Sequence, residues 1–348
     1  MSEQSAEGGA RGRTLGTRFW LGLTLSGITL YLVFRKIDWH GFLDAVRSIK
    51  LEWILAGVLI FILSLGVRAL LWKRLLTPVA GREARFSDCF AYLMIGYAAN
   101  NVLPLRLGEV IRAYYISRQE KLGFSSVIAV AAVVRLFDLL GLLCFVVVLT
   151  IFTPIPQAIR TGMVIIEIAA LAALVVFIVL AFLNTEFGKA KRLLSKFLPG
   201  KLVERIFTVI SRFAEGLRSL CSVKAIATVL VLSILAWCLV ILDAYMHMRA
   251  FDFGLPMLAA VFVVTVANLG GILPTSPGAV GIQHYLFVIS LDVWGIEREP
   301  AVAFAVVRHG VLYTLTTLTG LSCLWSRHFS LRALAEETRR ATRDTTSS

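Results

Sequence analysis

A small set of charged side chains stands inside stretches that are otherwise apolar, and their types limit the chemistry this chain can perform. Arg106, Glu109 and Arg112 recur at every third residue, which on a helix lines them along one side with Glu109 in reach of either arginine. Arg135 and Asp138 repeat that spacing in the middle of a second apolar run, and Arg308 stands in a third. On insertion scales each unpaired charge at the bilayer centre costs about 2.5–3.5 kcal/mol, so these groups must face inward and not lipid. Two uses are open to them. A closed ion-pair network would lock helices together. Alternatively, the three arginines of the first two groups outnumber their two carboxylates, leaving one guanidinium over. Its planar fork suits a phosphate oxygen, because it donates two hydrogen bonds at once. In that second reading Glu109 and Asp138 orient the arginines or meet a cationic substituent.

Other chemistries find no support. The five histidines and five cysteines show no HExxH, no CxxC and no His–Cys clustering, so no metal site, cofactor, disulfide framework or catalytic residue is expected. Neither a P-loop nor a Gly-x-Ser-x-Gly is present.

The elements that must carry these residues follow from composition. Of 348 residues 58% are hydrophobic and only 16% charged, and the mean hydropathy is +0.80. Lipid must therefore be the solvent for most of the surface, and the expected fold is an all-α polytopic membrane protein. Runs of spanning length lie at roughly 19–35, 52–72, 124–152, 161–183, 225–247 and 300–326, six full crossings within a single transmembrane domain over 19–326. Residues 86–103 and 256–273 are apolar too, but each stops at a Pro/Gly turn before a second short segment. Either these are two ordinary tight loops, or they are broken, re-entrant helices whose irregular backbone lines a cavity.

The net charge of +13 would suggest nucleic acid in a soluble chain. Here the basic residues sit between apolar runs and set topology instead, so no nucleic-acid partner is expected. Placing residues 1–18, 73–88, 186–224 and 327–348 on one side gathers 21 Lys/Arg, against 7 in the segments assigned to the other. The rich side is cytoplasmic, with both termini there: a disordered amino-terminal segment over 1–18 and a tail over 327–348. The basic, amphipathic stretch 186–224 lies at the anionic leaflet or serves as a solvated connector.

The two interrupted segments also resemble each other. Leu103-Pro104-x-x-x-Gly108-x-Val110 followed by Tyr115 aligns without a gap on Leu273-Pro274-x-x-x-Gly278-x-Val280 followed by Tyr285, at an offset of 170 residues. Val133-Val134-Arg135 is echoed by Val306-Val307-Arg308, and Asn100 by Asn268. Three crossings separate the copies, about 86–152 and 256–326, so the repeat should be inverted across the membrane, as in alternating-access carriers with a site at the repeat interface. Pro104, Gly108, Pro274, Pro277, Gly278 and Gly281 are then the hinges of two gates.

Asn101-x-x-Pro104-x-Arg106-x-Gly108-Glu109-x-x-Arg112, Arg135-x-x-Asp138, Pro274-x-x-Pro277-Gly278-x-x-Gly281 and a late Arg308 resemble the lysylphosphatidylglycerol synthetase transmembrane region, the flippase-like domain family, over about residues 15–328. That resemblance implies a multi-pass protein of a bacterial or archaeal inner membrane. It also implies a module that moves a phosphate-bearing lipid, aminoacylated in the best-known members, between leaflets. Asn101, Arg106, Glu109, Arg112, Arg135, Asp138 and Arg308 become its headgroup-binding residues. Two positions depart from the family pattern: Ala279 where a second glycine is common, and Gln283 where an acid is. The resemblance covers the membrane module without a soluble aminoacyl-transferase domain, so a separate lipid-modifying enzyme is an expected partner beside the membrane lipids; the oligomeric state is left open. The expected function is thus lipid transport and not catalysis, with a membrane-embedded lipid-linked transferase or a non-transporting partner in envelope-lipid biogenesis as the alternatives.

The charge count makes a direct prediction. Single cysteines at Gln157 and Glu297 should react with an impermeant thiol reagent added to intact cells, whereas one at Lys201 should react only after lysis; external labelling at 201 would overturn the assigned topology.

Overall fold

A computed structural model describes residues 20–103, 107–152, 223–270 and 276–327, with a few isolated positions between 161 and 204. The described residues are helical throughout, without strands. In chain order the helices are α1 (Trp20–Phe34), α2 (Trp39–Arg47), α3 (Leu51–Ala80), α4 (Phe86–Val102), α5 (Gly108–Glu120), α6 (Phe124–Phe152), α7 (Val223–Ala250), α8 (Met257–Gly270), α9 (Ile282–Asp292) and α10 (Arg298–Ser326), with a 3-10 turn at Pro277–Ala279 before α9.

Four of them, α3, α6, α7 and α10, are long and apolar enough to cross a membrane. At 27 to 30 residues each reaches about 40–45 Å, beyond the roughly 30 Å hydrocarbon core. The expected spans at 52–72, 225–247 and 300–326 therefore extend past their apolar runs. α3 carries Lys73 and Arg74 for two more turns, because a helix that has left the hydrocarbon can still satisfy its own backbone. Gly81, at φ 62°, then ends it in the left-handed conformation. The 161–183 span, the amphipathic stretch 186–224, the amino-terminal segment 1–18 and the tail beyond Arg327 lie outside the described residues.

The interrupted segments are short helices in pairs. α4 with α5, and α8 with α9, run to 17, 13, 14 and 11 residues, each below the ~20 needed for a crossing. The breaks themselves, 104–106 and 271–275, lie outside the described residues. Each pair anchors its own apolar cluster. The first gathers α3, α4, α5 and the first half of α6 around Trp72, Tyr92 and Tyr115. The second gathers α7 to α10 with the end of α6 around Trp237, Phe287 and Phe304. α3 lies along α7 and α4 along α10, so the two clusters are held together by neighbours from opposite halves.

At the rim, Asp38 caps α2 by accepting from the backbone N–H groups of His40 and Gly41, both at 3.1 Å. Arg298 at the start of α10 donates to the last carbonyls of α1, those of Leu32 and Val33, which have no helical donor of their own.

Small residues set the tightest approach. A Cβ on Gly320 of α10 would overlap the Met94 carbonyl oxygen and reach 2.5 Å from Ala98 Cβ on α4, whereas one on Gly310 would meet nothing within 4 Å. Gly320→Leu should therefore force α4 and α10 apart and destabilise the detergent-solubilised protein by at least about 1–3 kcal/mol. Gly310→Ala should be neutral or stabilising by up to ~1 kcal/mol, a contrast measurable by thermal-shift.

Candidate functional site

A cavity of about 610 Å³ is lined by Asn100, Asn101, Glu109 and Arg112 of the first helix pair with Arg135 and Asp138 of α6, and by Asn268, Ser276, Gly278 and Gln283 of the second pair and its turn with Arg308 and His309 of α10, with Arg68 of α3 completing the wall. Arg68 and Asp138 sit roughly midway along α3 and α6. The cavity is thus polar at the depth where lipid would be least able to hold charge.

Its charges pair differently from their local spacing. Asp138 does not meet Arg135, three residues away; it accepts from Arg68 Nη1 on α3 at 2.9 Å, and both side chains are 14% exposed. The Arg68 guanidinium lies over the Trp237 ring, 5.1 Å from its centroid, while Trp237 Nε1 donates to the Asp138 carbonyl at 3.0 Å. Arg135 pairs instead with Glu109 on α5, its Nε donating to Oε2 at 3.2 Å. The Arg135–Asp138 couple expected from sequence is thus replaced by contacts between helices, because i and i+3 side chains of an inward-facing helix lose to opposite charges on a neighbour that needs neutralising as much. Arg308, expected as a headgroup-binding residue, donates to Asp243 Oδ2 at 2.6 Å, and Asp243 is fully buried with His247 Nδ1 3.0 Å from its other oxygen.

One cation is left. Arg112 is 7% exposed and has no carboxylate or hydrogen-bond partner among the described residues; its Nε is buried and unpaired. Its guanidinium instead lies over the Trp72 ring at 4.5 Å. A desolvated cation–π contact of this kind supplies about 2 kcal/mol, which offsets part of the cost of holding the charge there.

The amide residues serve the backbone. Asn100 Oδ1 accepts from the Gly108 N–H at 2.8 Å. Asn101 Nδ2 donates to the hydroxyls of Thr316 and Thr317 on α10 at 3.0 and 2.8 Å, so this expected headgroup residue fastens α4 to α10 as well as lining the cavity. Gly108 has helical geometry, and a Cβ there would overlap the Gly96 carbonyl oxygen and come within 2.6 Å of Asn100 Oδ1. Close packing, and not conformational freedom, is what requires glycine at that hinge candidate. Gly278 and Gly281, at φ 64° and 91°, do need it. Pro277 opens the 3-10 turn that contains Gly278 and precedes Gly281. Pro104, Arg106 and Pro274 lie outside the described residues. Sequence reasoning missed Arg68, Asp243, Trp72 and His309 as members of the site. The charged pairs span 70 and 65 residues, which no local spacing rule reaches.

The family model of the lysylphosphatidylglycerol synthase TM region matches residues 19–320, most of the chain. The chain belongs to that family. Its relatives include the glycosyltransferase AglD of Haloferax volcanii, 24% identical over 91% of this chain but only 55% of AglD, so the chain spans about half of that relative's length. They also include a UPF0104 membrane protein of Methanothermobacter thermautotrophicus, 23% identical over 81% of this chain and 87% of that one, and another from Methanocaldococcus jannaschii, 22% identical over 76% and 82% respectively. As a member of the lysylphosphatidylglycerol synthase TM family with several apolar helices, the chain is a multi-pass membrane protein.

The pairing scheme separates structural from available charge. Asp243→Asn leaves Arg308 buried without a counter-ion and should lower stability by about 3–5 kcal/mol, seen as loss of folded protein on extraction. Arg112→Ala removes a cation that nothing neutralises and should extract normally; equal losses in the two variants would mean that Arg112 is structural as well.

Proposed function

We propose that this chain moves a phosphate-bearing lipid between the leaflets of a bacterial or archaeal inner membrane, with both termini cytoplasmic and the two broken-helix pairs acting as an inverted repeat around one cavity. The observation that carries this reading is Arg112: a buried, unneutralised guanidinium in a polar cavity at membrane depth. A lipid phosphate supplies the missing anion, and the guanidinium fork matches two of its oxygens. Arg106, three residues on the other side of Glu109, is the second candidate phosphate ligand. Arg135, half exposed toward the cavity while bound to Glu109, can share its remaining donors with the same headgroup. Asn268 and Gln283 add uncharged polar groups suited to the hydroxyls of a glycerol or a sugar. The family match supports a lipid-related role, and the cavity walls come from both helix pairs as alternating access requires.

One relative's name, glycosyltransferase, favours a second reading in which this region takes part in sugar transfer to a lipid carrier. The two readings part in a defined assay. Purified protein in liposomes holding a trace of fluorescent phosphatidylglycerol should expose the inner-leaflet probe to dithionite. Arg112→Ala should slow that exposure at least about tenfold, with Arg112→Lys in between because an ammonium keeps the charge but not the fork. No acceleration over protein-free liposomes, with either this probe or a fluorescent polyprenyl phosphate, would reject transport. Appearance of a glycosylated probe when sugar nucleotide is added would support the transferase.

A further inference from the structure

The two interrupted segments touch through a line of stacked rings. Tyr313 of α10 donates its hydroxyl to the Asn101 carbonyl at 3.1 Å, at the last turn of α4 before the first break. A Cβ on Gly278, in the turn after the second break, would come within 2.5 Å of the same tyrosine ring and 3.4 Å of that carbonyl. His309 stacks on Tyr313 at 5.9 Å, and His284 of α9 stacks on His309 at 4.6 Å. His284 Nδ1 in turn accepts from the Gly281 N–H at 3.3 Å. Gly281 is the positive-φ residue whose α-carbon leaves no room beside the Ser26 carbonyl oxygen of α1. The strut therefore runs from one break to the other as Asn101, Tyr313, His309, His284 and Gly281.

Its middle member is the anomaly. His309 is 8% exposed and lines the cavity, yet both of its ring nitrogens are buried without a hydrogen-bond partner among the described residues. Nothing in the stack uses its polarity; a phenyl ring would pack as well. Imidazole differs from phenyl in that it can take up a proton near neutral pH.

We propose that His309 is a proton-binding site of this protein, and that its protonation releases the strut and so frees the turn from Ser276 to Gly281. A neutral His309 is compatible with the stack. An imidazolium there would hold two N–H donors with no acceptor, beside the guanidinium of Arg308 and against the second imidazole of His284. The ionisable groups facing the pair are few. From α10 come Arg308 and Tyr313, and Arg308 is held by Asp243 of α7 with His247 behind it. From α9 comes His284, and the α4 member that meets the strut, Asn101, and the α1 neighbours of Gly281, Ser26 and Thr29, do not titrate. With Asp243 already committed to Arg308 and His247, the protonated ring finds acceptors only in the cavity, in water or in an anionic headgroup. Turning there breaks both stacks. The sign follows: the strut is intact at high pH and lost as pH falls.

The test needs no cargo, so it stands apart from the transport assay. In protein with its five cysteines replaced, Ser276→Cys reports the second break and Glu297→Cys, on an exposed turn, corrects for thiol ionisation. Normalised maleimide labelling at 276 in proteoliposomes should rise at least about fivefold from pH 8 to pH 5.5. His309→Phe keeps the ring without the proton and should label slowly at both pH values; His309→Gln lacks the ring and should label fast at both. His40→Asn, which alters an exposed histidine, should keep the parent profile. A pH-independent parent, or a pH response that survives in His309→Phe, would overturn the proposal.

Discussion

Neutralising charge where water is scarce is the constraint on which the remaining features depend. A guanidinium or carboxylate at membrane depth must find an opposite charge or an electron-rich face, and the sequence supplies both on different helices. Asp138 draws α6 onto Arg68 of α3, Arg135 draws α6 onto Glu109 of α5, and Arg308 draws α10 onto Asp243 of α7. These three pairs tie five helices together in places where apolar packing gives no orientation, since lipid tails are as apolar as leucine. Arg112 is what remains, and it stays folded-in only because Trp72 offers its ring.

The second constraint is steric. Gly96 against Gly108 and Gly320 against Met94 bring backbones, and Gly278 against the Tyr313 ring brings backbone and side chain, to distances that a single methyl group would forbid. In the absence of a hydrophobic drive between helices, such close approach is the main source of van der Waals attraction within the bilayer. It also makes the contact between the two interrupted segments direct, with no intervening layer to absorb a shift on either side. In the proposed transport cycle, motion of one break is then felt at the other through Tyr313 and Asn101.

Much of the architecture was legible in the chain. Apolar runs of fixed length gave α3, α6, α7 and α10, and the Pro/Gly turns around 104 and 274 marked the gaps between α4 and α5 and between α8 and α9, since a proline lacks the N–H that a helix interior uses, although Pro78 is accommodated in the last turn of α3. The surplus cation expected from the charge count has a counterpart in Arg112, which meets no carboxylate among the described residues, but it arises through pairs that the count did not include, and Arg106 lies outside the described residues. Local spacing couples Arg135 to Asp138 and Asp243 to His247 and leaves Arg68 alone; the Asp243–His247 contact forms, but Asp138 meets Arg68 and Asp243 also meets Arg308, 70 and 65 residues apart, information that lies in helix packing and in no window of sequence. His309 escaped notice for the opposite reason, since a lone histidine on an apolar helix carries no pattern until its neighbours in space are known.

The two halves of the cavity are chemically unlike although their sequences echo each other. Glu109 and Arg112 of the first half correspond, at the 170-residue offset, to Ala279 and Ile282 in the second, where ring stacking and amide groups take over the wall. A permanent positive charge on one side and a neutral, protonatable ring on the other give an anionic headgroup unequal partners across a space of about 610 Å³. A binding site with equal affinity toward both gates would hold its cargo with no preference for release. In the proposed transport cycle, asymmetry of this kind would let one gate load strongly and the other let go, and a proton on His309 would set how unequal the two sides are at a given moment. Under that proposal the three paired arginines hold their helices in register, while Arg112, which no described carboxylate neutralises, is left for the cargo, because a network serving only as a lock would have neutralised it too.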